Sequence, residues 1–236
     1  MENAPLTESV FRLRLAGDTS AITAPGQFVN ILLDGFFLRR PFSVCDWEAG
    51  ELTVLYKILG RGTKAMTALS PGTKLDLLTG LGNGFDMAPA GDRPLLAGGG
   101  VGIPPLYGLA KRLCAAGRRP VAALGFNTAA DAILLEEFRA LGAETVIATL
   151  DGSLGLRGLV TDAMAAAGET TYLYTCGPEG MLRAVYDASR TPGQFSFEER
   201  MGCGFGACMG CTCETKYGPK RICRDGPVLR KEEIVW

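Results

Sequence analysis

The spacing of four cysteines constrains this chain more than any other feature. The stretch "MGCGFGACMGCTCETKYGPKRICRDGP", residues 201–227, holds five of its eight cysteines. Cys203, Cys208 and Cys211 form C-x4-C-x2-C, the opening of the plant-type [2Fe-2S] pattern, and Cys223 supplies a fourth thiolate further along. Soft thiolates suit iron and sulfide, and the small residues between them, Gly204, Gly206, Ala207 and Gly210, let a backbone fold tightly and aim N–H groups at cluster sulfurs. A structural zinc site also accepts four thiolates, but it usually takes them as two separated C-x2-4-C pairs, whereas here three crowd one loop. The spacing therefore favours iron-sulfur over zinc. Cys213 would break the x4-x2 spacing and is read as a neighbour of the ligands, and Cys45 and Cys114 as small core residues.

The rest of the composition narrows the chemistry. The chain has 236 residues, no histidine and a formal net charge of −1. Without histidine there is no Ser-His-Asp or Cys-His nucleophile system, no HExxH zinc enzyme, no Rieske cluster and no imidazole acid/base catalysis. Difficult chemistry then falls to a cofactor. No basic run or basic helix face suggests nucleic acid, and no apolar run is long enough to span a membrane. The amino terminus lacks the pattern of a secretory signal, so the expected location is cytoplasmic. In a reducing compartment, clustered cysteines are metal ligands or redox groups rather than disulfides.

Along the chain the rhythm changes twice. Residues 1–92 alternate apolar and polar side chains between glycine and proline punctuation, as in Phe11, Leu13 and Leu15 against Arg12 and Arg14, or Leu52, Val54, Tyr56 and Ile58. An antiparallel β-barrel fits this pattern. Residues 93–190 read as strand, glycine turn and helix, followed by the apolar strands "VAALGF", "TVIATL" and "TYLYTC" with helical stretches between them, which predicts a parallel sheet covered by helices. Residues 191–236 read as a short linker followed by the cysteine-rich segment. The expected fold class is β plus α/β with a small C-terminal cluster domain.

Three motifs suggest nucleotide cofactors. In "RRPFSV", Arg40, Pro41, Phe42 and Ser43 combine a phosphate-binding guanidinium, a stiff extended segment, an aromatic and a hydroxyl. Downstream, "LYKILGRGT" adds Gly60 and Gly62 for close backbone approach and Thr63 as a donor, and together the two suggest a flavin dinucleotide. "LLAGGGVGIPPL" places Gly98, Gly99, Gly100 and Gly102 between a buried strand and a helix, where backbone N–H groups meet phosphate. "TCGPEGM" puts Cys176, Gly177 and Pro178 at the carboxyl end of another expected strand on the same edge. After "VAALGF", Asn127, Thr128 and Asp131 come without a local arginine for a 2'-phosphate, although Arg118 and Arg119 precede the strand, so NAD is favoured over NADP.

The order "RPFS", "GRGT", "GGGVGIPPL", "CGPEGM" resembles the ferredoxin reductase family over essentially the whole chain. The tail, "CGFGACMGCTC" followed by "ICRDGPVL", is similar to that of the electron-transfer subunits of type B dihydroorotate dehydrogenases. The resemblance implies FAD contacts from Arg40, Pro41, Phe42, Ser43, Leu55, Tyr56, Lys57, Gly62 and Thr63. It implies cluster ligation by Cys203, Cys208, Cys211 and Cys223, with a shorter gap before Cys223 than those subunits usually have. The implied role is to pass electrons between NAD and an FMN-containing dihydroorotate dehydrogenase catalytic subunit through FAD and a [2Fe-2S] cluster, in a heterotetramer of two plus two, during pyrimidine (UMP) biosynthesis. No residue of this chain would then be catalytic toward dihydroorotate. A reductase subunit feeding a ferredoxin, hydrogenase or oxygenase is the alternative, and a colourless zinc-stapled nucleotide-binding module is a third reading.

Overall fold

The computed structural model describes residues 2–236. The expected barrel half is a six-stranded antiparallel sheet made of β1 (Glu2–Pro5), β2 (Val10–Ala16), β3 (Phe28–Ile31), β4 (Arg40–Glu48), β5 (Glu51–Lys57) and β6 (Leu77–Leu81), in the order β1-β2-β5-β4-β3-β6. A short helix α1 (Arg61–Met66) follows β5. The period-two pattern behaves as it reads: Leu13, Val29, Ile31, Val44, Leu52, Val54 and Tyr56 fill one apolar core, while Arg12 and Arg14 on the opposite face of β2 pair with Glu2 and Glu51.

The second half alternates strand and helix. Its elements are β7 (Leu95–Gly99), α2 (Ile103–Ala115), β8 (Val121–Phe126), α3 (Leu135–Ala140), β9 (Glu144–Thr149), β10 (Leu156–Arg157), α4 (Val160–Ala166), β11 (Leu173–Cys176), α5 (Glu179–Ala188) and β12 (Gly193–Ser196). The cysteine-rich segment adds β13 (Thr212–Cys213), β14 (Lys220–Arg221), α6 (Ile222–Asp225) and β15 (Val228–Arg230). The large sheet runs β10-β9-β8-β7-β11-β12-β15, parallel except for the last pairing. The chain winds outward from β7 through β8 and β9, then returns to place β11 on the other side of β7. That reversal is the topological switch point where open α/β sheets bind ligands at their carboxyl edge.

One expectation is corrected here. The stretch after residue 191, read as a linker, forms β12, a buried strand parallel to β11, and the chain beyond the cysteines returns as β15 to pair with it. The cysteine-rich segment is thus inserted between two neighbouring strands of the large sheet and is not a loose appendix. Buried polar side chains explain why β12 escaped notice. Gln194 Nε2 donates to the Asp86 carbonyl at 2.8 Å, and its Oε1 accepts the Asp86 N–H, partners that lie 108 residues away.

The two halves share a core. Val10, Cys45 and Leu55 of the barrel sheet pack with Ile103, Leu106, Leu109 and Leu113 of α2. A Cβ on Gly108 would lie 2.5 Å from the Cys45 carbonyl, so glycine sets how closely α2 approaches β4. Around that seam, Lys111 pairs with Asp46 and Glu48, and the Arg112 guanidinium sits 3.4 Å over the Trp47 ring. Half-exposed pairs of this kind contribute under about 1 kcal/mol each, against about 1.5–3 kcal/mol for each fully buried leucine. Apolar burial therefore holds the halves together and the ion pairs fix their orientation. No helix among the described residues is long and apolar enough to cross a membrane.

Candidate functional site

The first site begins with β4 and β5. Arg40, Pro41, Phe42, Ser43, Leu55, Tyr56, Lys57 and Thr63 all line one cavity of about 240 Å³ where the barrel sheet meets the switch point. Tyr56 forms its rigid floor: the side chain is buried, its hydroxyl donates to Asn3 Oδ1 at 2.9 Å, and its ring meets Phe42 edge-on at 6.0 Å. Burial pushes its phenol up to about 12, with the Asn3 bond opposing, so it serves as an aromatic wall and not as an acid. Arg40 donates to the Leu38 carbonyl and lies 5.1 Å over the Phe36 ring. Gly62 makes that pose possible, because a Cβ there would come within 2.7 Å of Arg40 Nε. The Thr63 hydroxyl already accepts the Leu59 and Gly60 N–H groups at 2.9 and 3.2 Å, so it closes the first turn of α1. A flat ring system lying against the wall that Phe42 and Tyr56 form together, with an anionic tail toward Arg40, fits this cradle.

The second site is the switch point itself. Cys176 pairs with Gly98 in the parallel ladder, which sets the two glycine-bearing turns side by side. They interlock: a Cβ on Gly102 would lie 2.3 Å from the Cys176 carbonyl, and one on Gly99 would lie 2.6 Å from Met181 Sδ. Gly177 and Pro178 line a further cavity of about 240 Å³, which shares Phe197, Glu198 and Glu199 with the first. The two cavities therefore border the same segment, Phe197–Glu199. Gly98, Gly99, Gly100 and Gly102 line neither cavity; Val101 and Pro104, between and beyond them, do.

The common wall was missed in the sequence because it lies in the stretch read as linker. Its signal was "FSFEE", an alternating run ending in two carboxylates. Glu198 is accessible through the cavities, yet the protein around it raises its carboxyl pKa by burial. It in turn helps to raise the nearby Cys176 thiol, which burial pushes up to about 12 with a Ser196 contact opposing. Because the folded state holds the Glu198 proton more tightly than the unfolded chain, this residue's contribution is complete below the unfolded value and is lost as pH rises through the folded one. Glu198→Gln is expected to be more stable than the unmodified chain at neutral pH, with the gap closing below about pH 4. Thermal melts across that range check this; a gap independent of pH would contradict it.

The third site gathers the cysteines. Cys208 acts on the Cys203 thiol, and Cys211 and Cys203 act on the Cys223 thiol, so the four side chains are neighbours in one segment. Among the described residues, no three His, Cys, Asp or Glu side chains converge on a single-ion centre. A two-iron core takes two thiolates per iron, and the four cysteines of this segment supply that number. Backbone N–H groups already face the sulfurs: Ala207 and Cys208 donate to Cys203 Sγ at 3.3 and 3.5 Å, and Cys223 donates to Cys211 Sγ at 3.3 Å. Burial pushes the Cys203 thiol up, but the Cys208, Phe205 and Ala207 N–H groups outweigh it and bring the thiol down to about 6. The loop's N–H groups thus favour the Cys203 thiolate, the form that ligates metal. Cβ atoms on Gly202 and Gly210 would lie 3.3 and 3.6 Å from Cys208 Sγ, so their absence leaves a cradle there. Arg221 fastens the loop by donating to the Gly206 carbonyl at 2.9 Å. Cys213 stands outside this set, paired in register with Lys220 across β13 and β14. Cys45 is fully buried with its thiol pushed up by burial, and Cys114 is partly buried.

A barrel sheet with a flat-ring cradle, a parallel sheet with paired turns at its switch point and a thiolate-lined segment together define a ferredoxin reductase-like flavin and NAD fold carrying an iron-sulfur segment. Comparison with known proteins agrees. Residues 198–235 match the iron-sulfur cluster binding domain of dihydroorotate dehydrogenase B. The chain is 46% identical over 98% of its length to the electron transfer subunit of dihydroorotate dehydrogenase B (NAD(+)) of Bacillus caldolyticus, covering 94% of that protein, and equally so to that of Geobacillus thermodenitrificans. It belongs to the family of dihydroorotate dehydrogenase B electron transfer subunits. Among solved structures, a chain of an NADH-dependent reduced ferredoxin-NADP oxidoreductase superposes with a TM-score of 0.91 at 31% identity, covering 100% of this chain and 88% of that one. An Amycolatopsis cytochrome P450 reductase shares the fold at a TM-score of 0.69 and 24% identity, covering 80% of this chain and 63% of that one.

Proposed function

We propose that this chain passes electrons between NAD and an FMN-containing catalytic subunit that oxidises dihydroorotate to orotate, as a cytoplasmic component of pyrimidine biosynthesis. The observation that carries the reading is the shared wall at Phe197–Glu199, which brings the switch point, the flat-ring cavity and the cysteine segment into one continuous body. Bound there, FAD exchanges two electrons as a hydride while an iron-sulfur cluster moves them singly.

The chain's residues supply placement rather than bond-making. Phe42 and Tyr56 orient the flat ring, Arg40 holds its anionic tail, and Lys57 lines the same cavity. The turns at Gly98–Gly102 and Cys176–Pro178 align a nicotinamide nucleotide, and alignment is what hydride transfer most needs. Cys203, Cys208, Cys211 and Cys223 hold a [2Fe-2S] core. The preference for NAD is supported by the surroundings of β8. No arginine follows the strand before Arg139, and Arg118, before the strand, pairs with Asp92 at 3.0 Å.

The partner's docking face is proposed around the cysteine segment, where Phe205, Met209 and Tyr217 are 57%, 56% and 73% exposed, large apolar side chains left open to solvent in the same stretch as the proposed ligands. The likeness to a ferredoxin-NADP oxidoreductase chain supports the alternative, delivery to another acceptor. Coexpression with an FMN-containing dihydroorotate dehydrogenase decides between them. The expected result is a copurifying complex of two plus two chains that reduces NAD with dihydroorotate; a chain that stays separate and reduces only ferredoxin would overturn the reading. Tyr217→Asp is expected to weaken that complex while leaving NADH oxidation by the isolated chain unchanged.

A further inference from the structure

Strand β3 has two working faces. Val29 and Ile31 point into the barrel core, while Phe28 and Asn30, at the alternate positions, point toward the cysteine segment. Phe28 stands opposite Ser43 in the ladder, lines the flat-ring cavity, and belongs to the same apolar cluster as Cys211 and Cys223. One strand thus touches both cofactor sites.

Asn30 is the polar member of that face and is 1% exposed. Its register partner on β4 is Pro41, in the flavin-binding run. Its Nδ2 donates to the carbonyl of Cys203 at 3.2 Å, a bond spanning 173 residues of sequence. The next residue, Gly204, has φ of +81°, and a Cβ on it would lie 2.1 Å from Asn30 Nδ2, so only glycine lets the loop settle onto this amide. Asn30 Oδ1 is buried and has no hydrogen-bond partner among the described residues. An orphaned buried acceptor is costly, and an apolar side chain of similar shape would avoid the cost. The amide's one visible interaction holds a cluster ligand's backbone.

We propose that Asn30 is a positioning residue for electron transfer: it pins the cluster loop at Cys203–Gly204 to the strand that borders the flavin cavity and so fixes the separation and alignment of the two redox centres. The proposal rests on the reading that this segment holds an iron-sulfur cluster. Loss of the bond frees the loop to shift away from β3, and outer-sphere partners of metal ligands typically change activity by about 10- to 100-fold when removed.

The test compares Asn30→Leu, which keeps the shape without the donor, and Asn30→Asp, which replaces the donor with a carboxylate facing a carbonyl. Both are purified anaerobically, reconstituted with iron and sulfide, and assayed for FAD, iron and acid-labile sulfide. Flavin reduction by NADH is followed by stopped-flow, the reduced-cluster EPR signal by freeze-quench per loaded cluster, and the cluster potential by titration. The expected result is unchanged flavin reduction, an EPR signal that forms about tenfold more slowly or slower still, and an altered potential or g-anisotropy, most of all in Asn30→Asp. Wild-type rates, potential and EPR spectrum in fully loaded variants would overturn the positioning role alone. Failure of both variants to take up a cluster while retaining FAD would also overturn it, making Asn30 a residue of assembly. A wild-type chain without acid-labile sulfide would overturn the cluster reading beneath it.

Discussion

Cys203→Ser is expected to strip iron and acid-labile sulfide from the chain, leave FAD bound, and cut electron delivery to the FMN-containing partner by about 100-fold. The argument starts from the thiol's environment. Cys203 is the proposed ligand that the Ala207 and Cys208 N–H groups bring toward ionisation, and serine in its place would ionise far less readily and bind iron more weakly. The flavin cavity is built from β4, β5 and the Phe197–Glu199 wall, none of which includes Cys203, so FAD content and NADH-driven reduction of a two-electron dye should persist. Residues 201–225 contain only two two-residue strands and one turn of helix, so a large part of their order should come from metal binding. The variant should therefore also lower the melting temperature and open this segment to protease. Retained sulfide, or an undiminished rate to the partner, would contradict the ligand assignment.

Gly102→Ala is the second large effect. With φ of −79° the position suits any residue, so the consequence is steric alone. The added Cβ would meet the Cys176 carbonyl at 2.3 Å and Gly177 Cα at 2.5 Å, and both obstacles are backbone. The two turns must separate to admit it, at a cost of about 1–3 kcal/mol in folding stability. They are also the surfaces proposed to align the nicotinamide nucleotide, so the NADH concentration needed for half-maximal flavin reduction should rise about tenfold or more. FAD and cluster content should hold. Gly100→Ala is the useful comparison: nothing lies within 4 Å of its Cβ, but its φ is +53°, so it probes backbone strain without the clash. Stopped-flow titration with NADH separates the two, and equal effects would argue against the interlock.

Most of this architecture was legible locally. "VAALGF" is β8 residue for residue, and the Leu52, Val54, Tyr56 alternation is the barrel core, because periodicity needs only neighbours to be read. The cysteine spacing likewise singles out Cys203, Cys208, Cys211 and Cys223 as candidate ligands, and the fold keeps all four within one short segment. What the sequence hid depends on distant partners. β12 is only four residues long and carries Gln194 and Ser196, both buried, and its strand character comes from pairing with β11 and β15. Glu198 and Phe197 acquired their place in the site from that strand. Asn30 reads as an interruption in an apolar run; only the arrival of Cys203, 173 residues later, gives its amide a purpose.

The central claim is that one polypeptide holds a two-electron carrier and a one-electron relay in exchange with each other. Anaerobic addition of NADH to the purified chain, with the flavin absorbance and the cluster EPR signal followed in the same sample, tests it most directly. The account expects about one FAD and two irons with two acid-labile sulfides per chain, and the flavin bleached before the cluster signal rises. A chain whose flavin bleaches while the cluster stays oxidised, or one holding neither group, would contradict it.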